Sequence, residues 1–274
     1  RGAPRIHVHA FSPLEITHGA ATLRMPVGEY LLLLKEHGLA TLPGTAAEIL
    51  DDEVRAVICP DKLSSARWLA VVETAHRVGI RTTSTMMFGH VDTPSHWARH
   101  LLALRSLQAR TGGLTEFVPL PFVPMEAPLF RRGHARSGPT FREVLLVHAV
   151  ARLVLHPLVT NIQASWPKLG AAGAGALLDA GANDLGGTLM NESISRAAGA
   201  AHGEEFPPAD IEAMIRSRGR EPRQRTTLYG AAPPGQRRRA FAAGPLAPPV
   251  VESAQPARRH HGRPAEESIS SRIA

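Results

Sequence analysis

Short apolar runs alternate with longer amphipathic stretches along most of this chain, and proline or glycine closes nearly every one. That alternation constrains the fold more than any other feature. Consecutive strands joined by helix-length connections pair in parallel, because a parallel return needs a crossover of about a dozen residues or more. Strands are expected at 5–11, 39–42, 54–58, 80–87, 115–120 and 159–164. Helices are expected at 28–36, 46–50, 64–78, 94–110, 139–155, 175–179 and 191–198. The order predicts an α/β fold with a parallel sheet of about five strand–helix units, short of the eight in a closed (β/α) barrel. Either the sheet is open or the first units are missing, and a start at Arg1 rather than Met favours the second expectation.

Charge is distributed unevenly. Residues 1–215 carry 19 Lys and Arg against 20 Asp and Glu, whereas residues 216–274 carry 12 Arg against 4 Glu. The net charge of +7 therefore belongs to the last fifth of the chain. A basic tail behind a near-neutral domain is a weak nucleic-acid signal, and its aromatic residues are sparse, so nucleic acid is not expected as a partner. Residues 230–274 are rich in Pro, Ala, Gly and Arg without apolar periodicity and read as a disordered tail. One cysteine, Cys59, excludes a disulfide framework, a four-cysteine zinc site and a self-contained iron–sulfur cluster. No apolar run is long enough to cross a membrane, and a cytoplasmic setting is expected.

Several constellations point to chemistry. His7 and His9 stand two apart on a strand, so they share a face while Ile6, Val8 and Ala10 take the other and are expected to pack on helices. The pair suits a polar lumen wall, or metal ligation, though further ligands at later strand ends are wanting, so no metal is expected. In Leu42-Pro43-Gly44-Thr45-Ala46-Ala47-Glu48 a tight turn of small residues ends on a carboxylate. Small residues admit a ligand close to the backbone. Glu48 also fits a capping box with Thr45, which explains it without a ligand. Thr82 to Thr85 place two hydroxyls on the inner face whichever parity holds, and His90 follows a glycine just beyond. Glu116 lies on a strand, Gln163 and Trp166 follow another, and Trp166 is suited to stacking on a planar ring. The glycine-rich turn 181–187 lacks the Gly-Lys-Ser/Thr of a phosphate loop.

These motifs resemble those of the FO synthase family. The similarity rests on His7-Val8-His9-Ala10-Phe11-Ser12-Pro13, Leu42 to Leu50, Cys59-Pro60-Asp61-Lys62, and Thr82 to His90. It continues through Gln108 to Gly113, Thr115 to Phe122, Asn161-Ile162-Gln163, Ser165-Trp166, Lys168-Leu169-Gly170, Gly181 to Leu189 and Arg225 to Gly230. The blocks are colinear over residues 4–230 and match the tyrosine hydroxyphenyl transferase unit of that family.

The resemblance implies a partial TIM-type (β/α) radical S-adenosylmethionine (radical SAM) barrel lacking its first strands, with a C-terminal cap and the disordered tail. On this division residues 1–170 are barrel, 171–229 cap and 230–274 tail. It implies S-adenosylmethionine and a four-iron four-sulfur cluster as cofactors, with the Cys-x3-Cys-x2-Cys ligands absent from this chain. The implied substrates are tyrosine and a ribitylamino-uracil, joined in deazaflavin (coenzyme F-420) biosynthesis. The implied partner is a second radical SAM unit, fused or separate. Without its cluster-binding part the chain alone is expected to be inactive. Glu48, Thr83 and Thr85 are assigned to the cofactor, and His7, His9, His90, Glu116, Gln163 and Trp166 to the substrate cavity, from motif position and strand ends. The catalytic residues are left open. Radical SAM enzymes of the futalosine route to menaquinone share part of the pattern, and a metal-dependent hydrolase built on His7 and His9 is a more distant alternative.

Overall fold

The computed structural model describes residues 6–244, apart from Met190, Asn191 and Glu204. Four parallel strands form one sheet in sequence order: β1 (Val8–His9), β2 (Leu39–Leu42), β3 (Arg81–Phe88) and β4 (Leu114–Pro121). Two further bridges prolong the sheet beyond β4, Phe117 to Ile162 and Gln163 to Asp184, both parallel. Residues 159–164, expected as a strand, are thus reduced to a two-residue bridge. The tail residues 245–274 lie outside the described residues.

Helices fill the connections. The chain between β1 and β2 forms α1 (Pro13–Thr22) and α2 (Val27–Glu36). The α1 helix has a full capping box, Ser12 with Glu15, and was not anticipated from the sequence, where Ser12-Pro13 read only as the end of a strand. Between β2 and β3 lie α3 (Asp52–Ile58) and α4 (Ser65–Arg77); α5 (Pro94–Thr111) links β3 to β4. After β4 come α6 (Pro128–Arg131), α7 (Phe141–Leu155), α8 (Trp166–Asp179), α9 (Ile194–Ala197), α10 (Pro208–Ser217) and α11 (Gln236–Ala242). The α8 helix is broken at Gly170, whose φ is 68° and ψ 175°. The α11 helix lies within the stretch read as tail.

Two sequence expectations between β2 and β3 are reversed. Residues 54–58 are helical, not a strand: Asp51 caps them by accepting the Val54 N–H, and Asp52 and Glu53 occupy the first turn, where negative charge suits the helix dipole. Residues 46–50 are an irregular loop, not a helix, with Ala46 and Glu48 both at positive φ (58° and 48°). The Thr45–Glu48 capping box therefore does not exist.

The sheet buries one face under the helices. Met86, Phe88, Phe117 and Ile162 are fully buried there with Trp68, Leu101, Leu104 and Leu107. Removing such a side chain costs about 2–5 kcal/mol. A second cluster, Ile16, Leu31, Leu42 and Ile80, seats α1 and α2 against β2. Ile6 and Val8 depart from expectation. They are 70% and 41% exposed, because β1 is an edge strand with only β2 beside it.

Candidate functional site

Strand parity settles which hydroxyls of β3 face inward. Thr82 Oγ1 meets His76 Nε2 of α4 at 3.0 Å, on the helical side. Thr83 and Thr85 take the opposite side, and both are spent on one residue, Gly44. Thr83 Oγ1 accepts the Gly44 N–H at 2.8 Å, and Thr85 Oγ1 donates to the Gly44 carbonyl at 2.7 Å. A side chain at Gly44 would collide with the Thr83 carbonyl, so glycine is required by close approach.

The loop that follows is held from every side. Arg55, buried at 3% exposure, points its guanidinium at the carbonyls of Ala46, Ala47, Ile49 and Leu63. Trp68 Nε1 donates to the Thr45 carbonyl at 3.1 Å, the Met87 N–H to that of Glu48 at 2.8 Å, and the Leu50 N–H to His100 Nδ1 at 2.9 Å. Carbonyls committed to Arg55 are unavailable to a helix, which is why this segment does not coil. The strained backbone at Ala46 and Glu48 persists because these bonds over-determine it. Glu48 is presented at the end of β2, paired with Lys62 Nζ at 2.6 Å.

His7 Nε2 and His9 Nδ1 each lie 2.7 Å from the single hydroxyl of Thr41 on β2. The two imidazoles therefore share a face. Burial and the neighbouring His7 hold His9 below its ordinary pKa. Neither histidine joins a cluster of three or more potential metal ligands among the described residues. Asp51, Glu53 and His96 do approach one another, but Asp51 already caps α3 and binds Arg99 Nε at 2.6 Å.

Glu116 anchors the most concentrated polar group. Its Oε2 accepts the hydroxyl of Tyr229 and lies 3.4 Å from Arg225 Nη2. Arg225 clamps Asp184 with two N–H groups, Nε on Oδ2 and Nη2 on Oδ1 (2.8 Å), and stacks over the Tyr229 ring at 4.1 Å. Burial pushes the Glu116 carboxyl up, opposed by the Tyr229 hydroxyl and the Arg225 charge. Burial and the adjacent carboxylates also raise the Tyr229 phenol, which stays protonated. A cavity of about 730 Å³ opens beside the group, bounded by Asp184, Gly186, Arg220, Gln224, Arg225 and Phe241. Arg225 and Tyr229 lie in the last of the motif blocks and are not among the site residues expected from the sequence. The signal was an Arg and a Tyr four apart in a stretch otherwise lacking aromatic residues.

The remaining sequence choices are placed differently. His90 is wholly buried: its Nδ1 lies 2.8 Å from the Val91 N and 3.0 Å from Asp92 Oδ1, and its Nε2 lies 3.0 Å from the Met87 carbonyl. Both ring nitrogens are thus used, and burial lowers its pKa. Trp166 is in the core, its indole N–H on the Gly187 carbonyl at 2.9 Å and its ring edge-on to Phe206, so neither face is offered to a ligand. The Gln163 side chain packs on the backbone of Gly186, where any Cβ would clash with its amide. Cys59 ends α3, 9% exposed, its thiol pushed up by burial.

Residues 111–236 match the model of the CofH/MqnC C-terminal region. The FO synthase of Nocardia farcinica is 56% identical over 230 residues, 84% of this chain but 27% of that protein. That of Streptomyces coelicolor is 53% identical over 237 residues, again 27% of its length. The 5-amino-6-(D-ribitylamino)uracil--L-tyrosine 4-hydroxyphenyl transferase of Methanothermobacter thermautotrophicus is 54% identical over 226 residues, 82% of this chain and 62% of that one. The resemblance read from the sequence motifs is borne out, and the chain spans about a quarter to under two thirds of the relatives it matches. Among solved structures, methylornithine synthase (PylB) aligns with a TM-score of 0.54 at 19% identity, over 73% of this chain and 57% of its own. HydG, a maturase of the FeFe-hydrogenase, aligns at 0.55 and 14% identity, over 74% and 44%. These two likenesses concern the fold alone, an α/β parallel sheet consistent with part of a barrel. No helix among the described residues is long and apolar enough to cross a membrane.

Proposed function

We propose that this chain is the substrate-holding part of a radical SAM tyrosine 4-hydroxyphenyl transferase of the FO synthase type, a partial barrel that joins a tyrosine-derived hydroxybenzyl group to a ribitylamino-uracil. The observation that carries this reading is 54% identity over 226 residues to a protein named for that transfer. The MqnC half of the matching family keeps the futalosine route as the second reading, and the names of the relatives favour the first. The proposed division is barrel over residues 1–170, cap over 171–229 and tail beyond, in a cytoplasmic protein.

The four-iron cluster does not fit the residues present. It needs three thiolates, and the chain has one thiol, buried behind α3. The cluster is therefore assigned to a second segment or subunit. The S-adenosylmethionine reading of Glu48, Thr83 and Thr85 becomes a division of labour. Glu48 offers the acceptor for a hydroxyl or ammonium group, while Thr83 and Thr85 fix Gly44 and so the approach of the loop. His7, His9 and Glu116 supply polar groups on the inner face of the sheet; His90, Gln163 and Trp166 act as supports of the strand ends.

The test is to co-express the chain with a cluster-bearing segment of a relative and incubate it anaerobically with S-adenosylmethionine and a reductant. Tyrosine plus the ribitylamino-uracil should yield the coupled product, and futalosine-type substrates should not. Cleavage of S-adenosylmethionine without coupled product would overturn the assignment.

A further inference from the structure

The group around Glu116 contains two carboxylates and one guanidinium. Arg225 gives its short bonds to Asp184, leaving Glu116 a contact of 3.4 Å. Charge on Glu116 is therefore answered mainly by the Tyr229 phenol. Both contacts fall on Oε2, and Oε1 takes part in no hydrogen bond among the described residues. The two partners arrive together on one hairpin. Arg225 and Ala231 form an antiparallel bridge, the Thr226 N–H donates to the Gly230 carbonyl at 2.9 Å, and the Gly230 N–H to Thr226 Oγ1 at 3.0 Å. At the tip, Tyr229 adopts a φ of 63°, a conformation that a bulky side chain holds only when surrounding bonds impose it. The turn aims its hydroxyl 113 residues back along the chain onto β4.

We infer that the 225–231 hairpin is a strap that grips Glu116 by Oε2 and fixes its carboxyl in place, so that Oε1 receives a ring N–H of the uracil substrate. Tyr229 and Arg225 are positioning residues, and Glu116 touches the ligand. A donor-rich heterocycle is the class that fits, because two carboxylates share one guanidinium here and Oε1 is left without a donor among the described residues. The identity of the ligand rests on the function proposed above, whereas the strap does not. The charged and titratable groups facing Glu116 are Arg225, Tyr229 and Asp184.

Two measurements separate these parts. In the full chain labelled with carboxyl-13C glutamate, Glu116 is assigned by its loss in Glu116→Gln and titrated without substrate. Tyr229→Phe removes the donor and should raise the Glu116 midpoint by about one pH unit, the size of one hydrogen bond to a charged group. Arg225→Lys keeps the charge, loses the fork, and should move the midpoint the same way by less. An unmoved midpoint in folded Tyr229→Phe, or in Arg225→Lys should the first variant not fold, overturns the strap. In the assembled enzyme, Glu116→Gln should raise KM for the uracil about tenfold and leave KM for tyrosine unchanged. An unchanged uracil KM overturns the role of Oε1. A wild-type enzyme that makes no coupled product overturns the functional reading, while the midpoint shift still decides the strap.

Discussion

Three histidines, His100 and His148 buried and His76 half-buried, are held neutral in the folded chain, and each makes stability depend on pH in a stated direction. Burial lowers His76 and His148 from 6.5 to about 4, and His100 to about 3. The unfolded chain takes up these protons near pH 6.5 and the native chain only near pH 3–4. Stability is therefore full above 6.5 and falls as pH drops toward 4. His148 donates from Nδ1 to the Val144 carbonyl, within α7, and its Nε2 has no partner among the described residues. His148→Leu should flatten the pH dependence of the urea midpoint between 6.5 and 4 without lowering stability at pH 7.5. An equal slope in variant and wild type would show that His148 does not contribute. Thr83 and Thr85 act at the same scale. Thr85→Val leaves the buried Gly44 carbonyl without its donor and should cost about 1–3 kcal/mol in urea unfolding.

The loop of residues 43–50 is an element in its own right, although it is neither helix nor strand. Its left-handed Ala46 and Glu48 are favourable only while Arg55 holds the adjoining carbonyls. Arg55→Met keeps the volume of the side chain and removes every one of those bonds. Native-state hydrogen exchange should show faster exchange of the Leu50 and Met87 amides, with a loss of about 2–4 kcal/mol overall. Sequence reading placed Glu48 at the end of β2 and missed the loop, because a capping pattern and a five-residue helix are local signals. Arg55, read as part of a strand, was the residue that decided otherwise. The same limit applies at 54–58, where a mostly apolar run was too short to outweigh the acidic start Asp51-Asp52-Glu53. The longer elements were legible: residues 39–42 are β2 as expected, and β3, β4, α4, α5 and α7 lie within about two residues of their predicted bounds.

For the whole molecule, the single thiol and the open edge strand carry the prediction. Anaerobic treatment of the chain alone with iron and sulfide should give no stoichiometric four-iron cluster by absorbance and iron analysis, since one buried cysteine cannot replace three ligands. Incorporation of a full cluster would contradict the placement of the ligands outside this chain. The basic excess of residues 216–274 has acquired a structural side as well. Arg225 is turned inward onto Asp184, and Arg218 and Arg237 pair with Asp179 and Glu212, so part of that charge is internal to the fold.

The sequence by itself determined the alternation of strand and helix, the presence of two inward hydroxyls on the Thr82–Thr85 strand, the common face of His7 and His9, and the resemblance to FO synthases. These follow from periodicity and from motifs whose meaning is local. Tertiary structure decided which polar groups remain available. It committed His90 and Trp166 to the interior, wrapped the loop at Glu48 around Arg55, and brought Tyr229 and Arg225 onto Glu116. Such pairings join residues far apart in the chain, and a buried donor or acceptor is satisfied by whatever lies beside it in space, which no local pattern encodes.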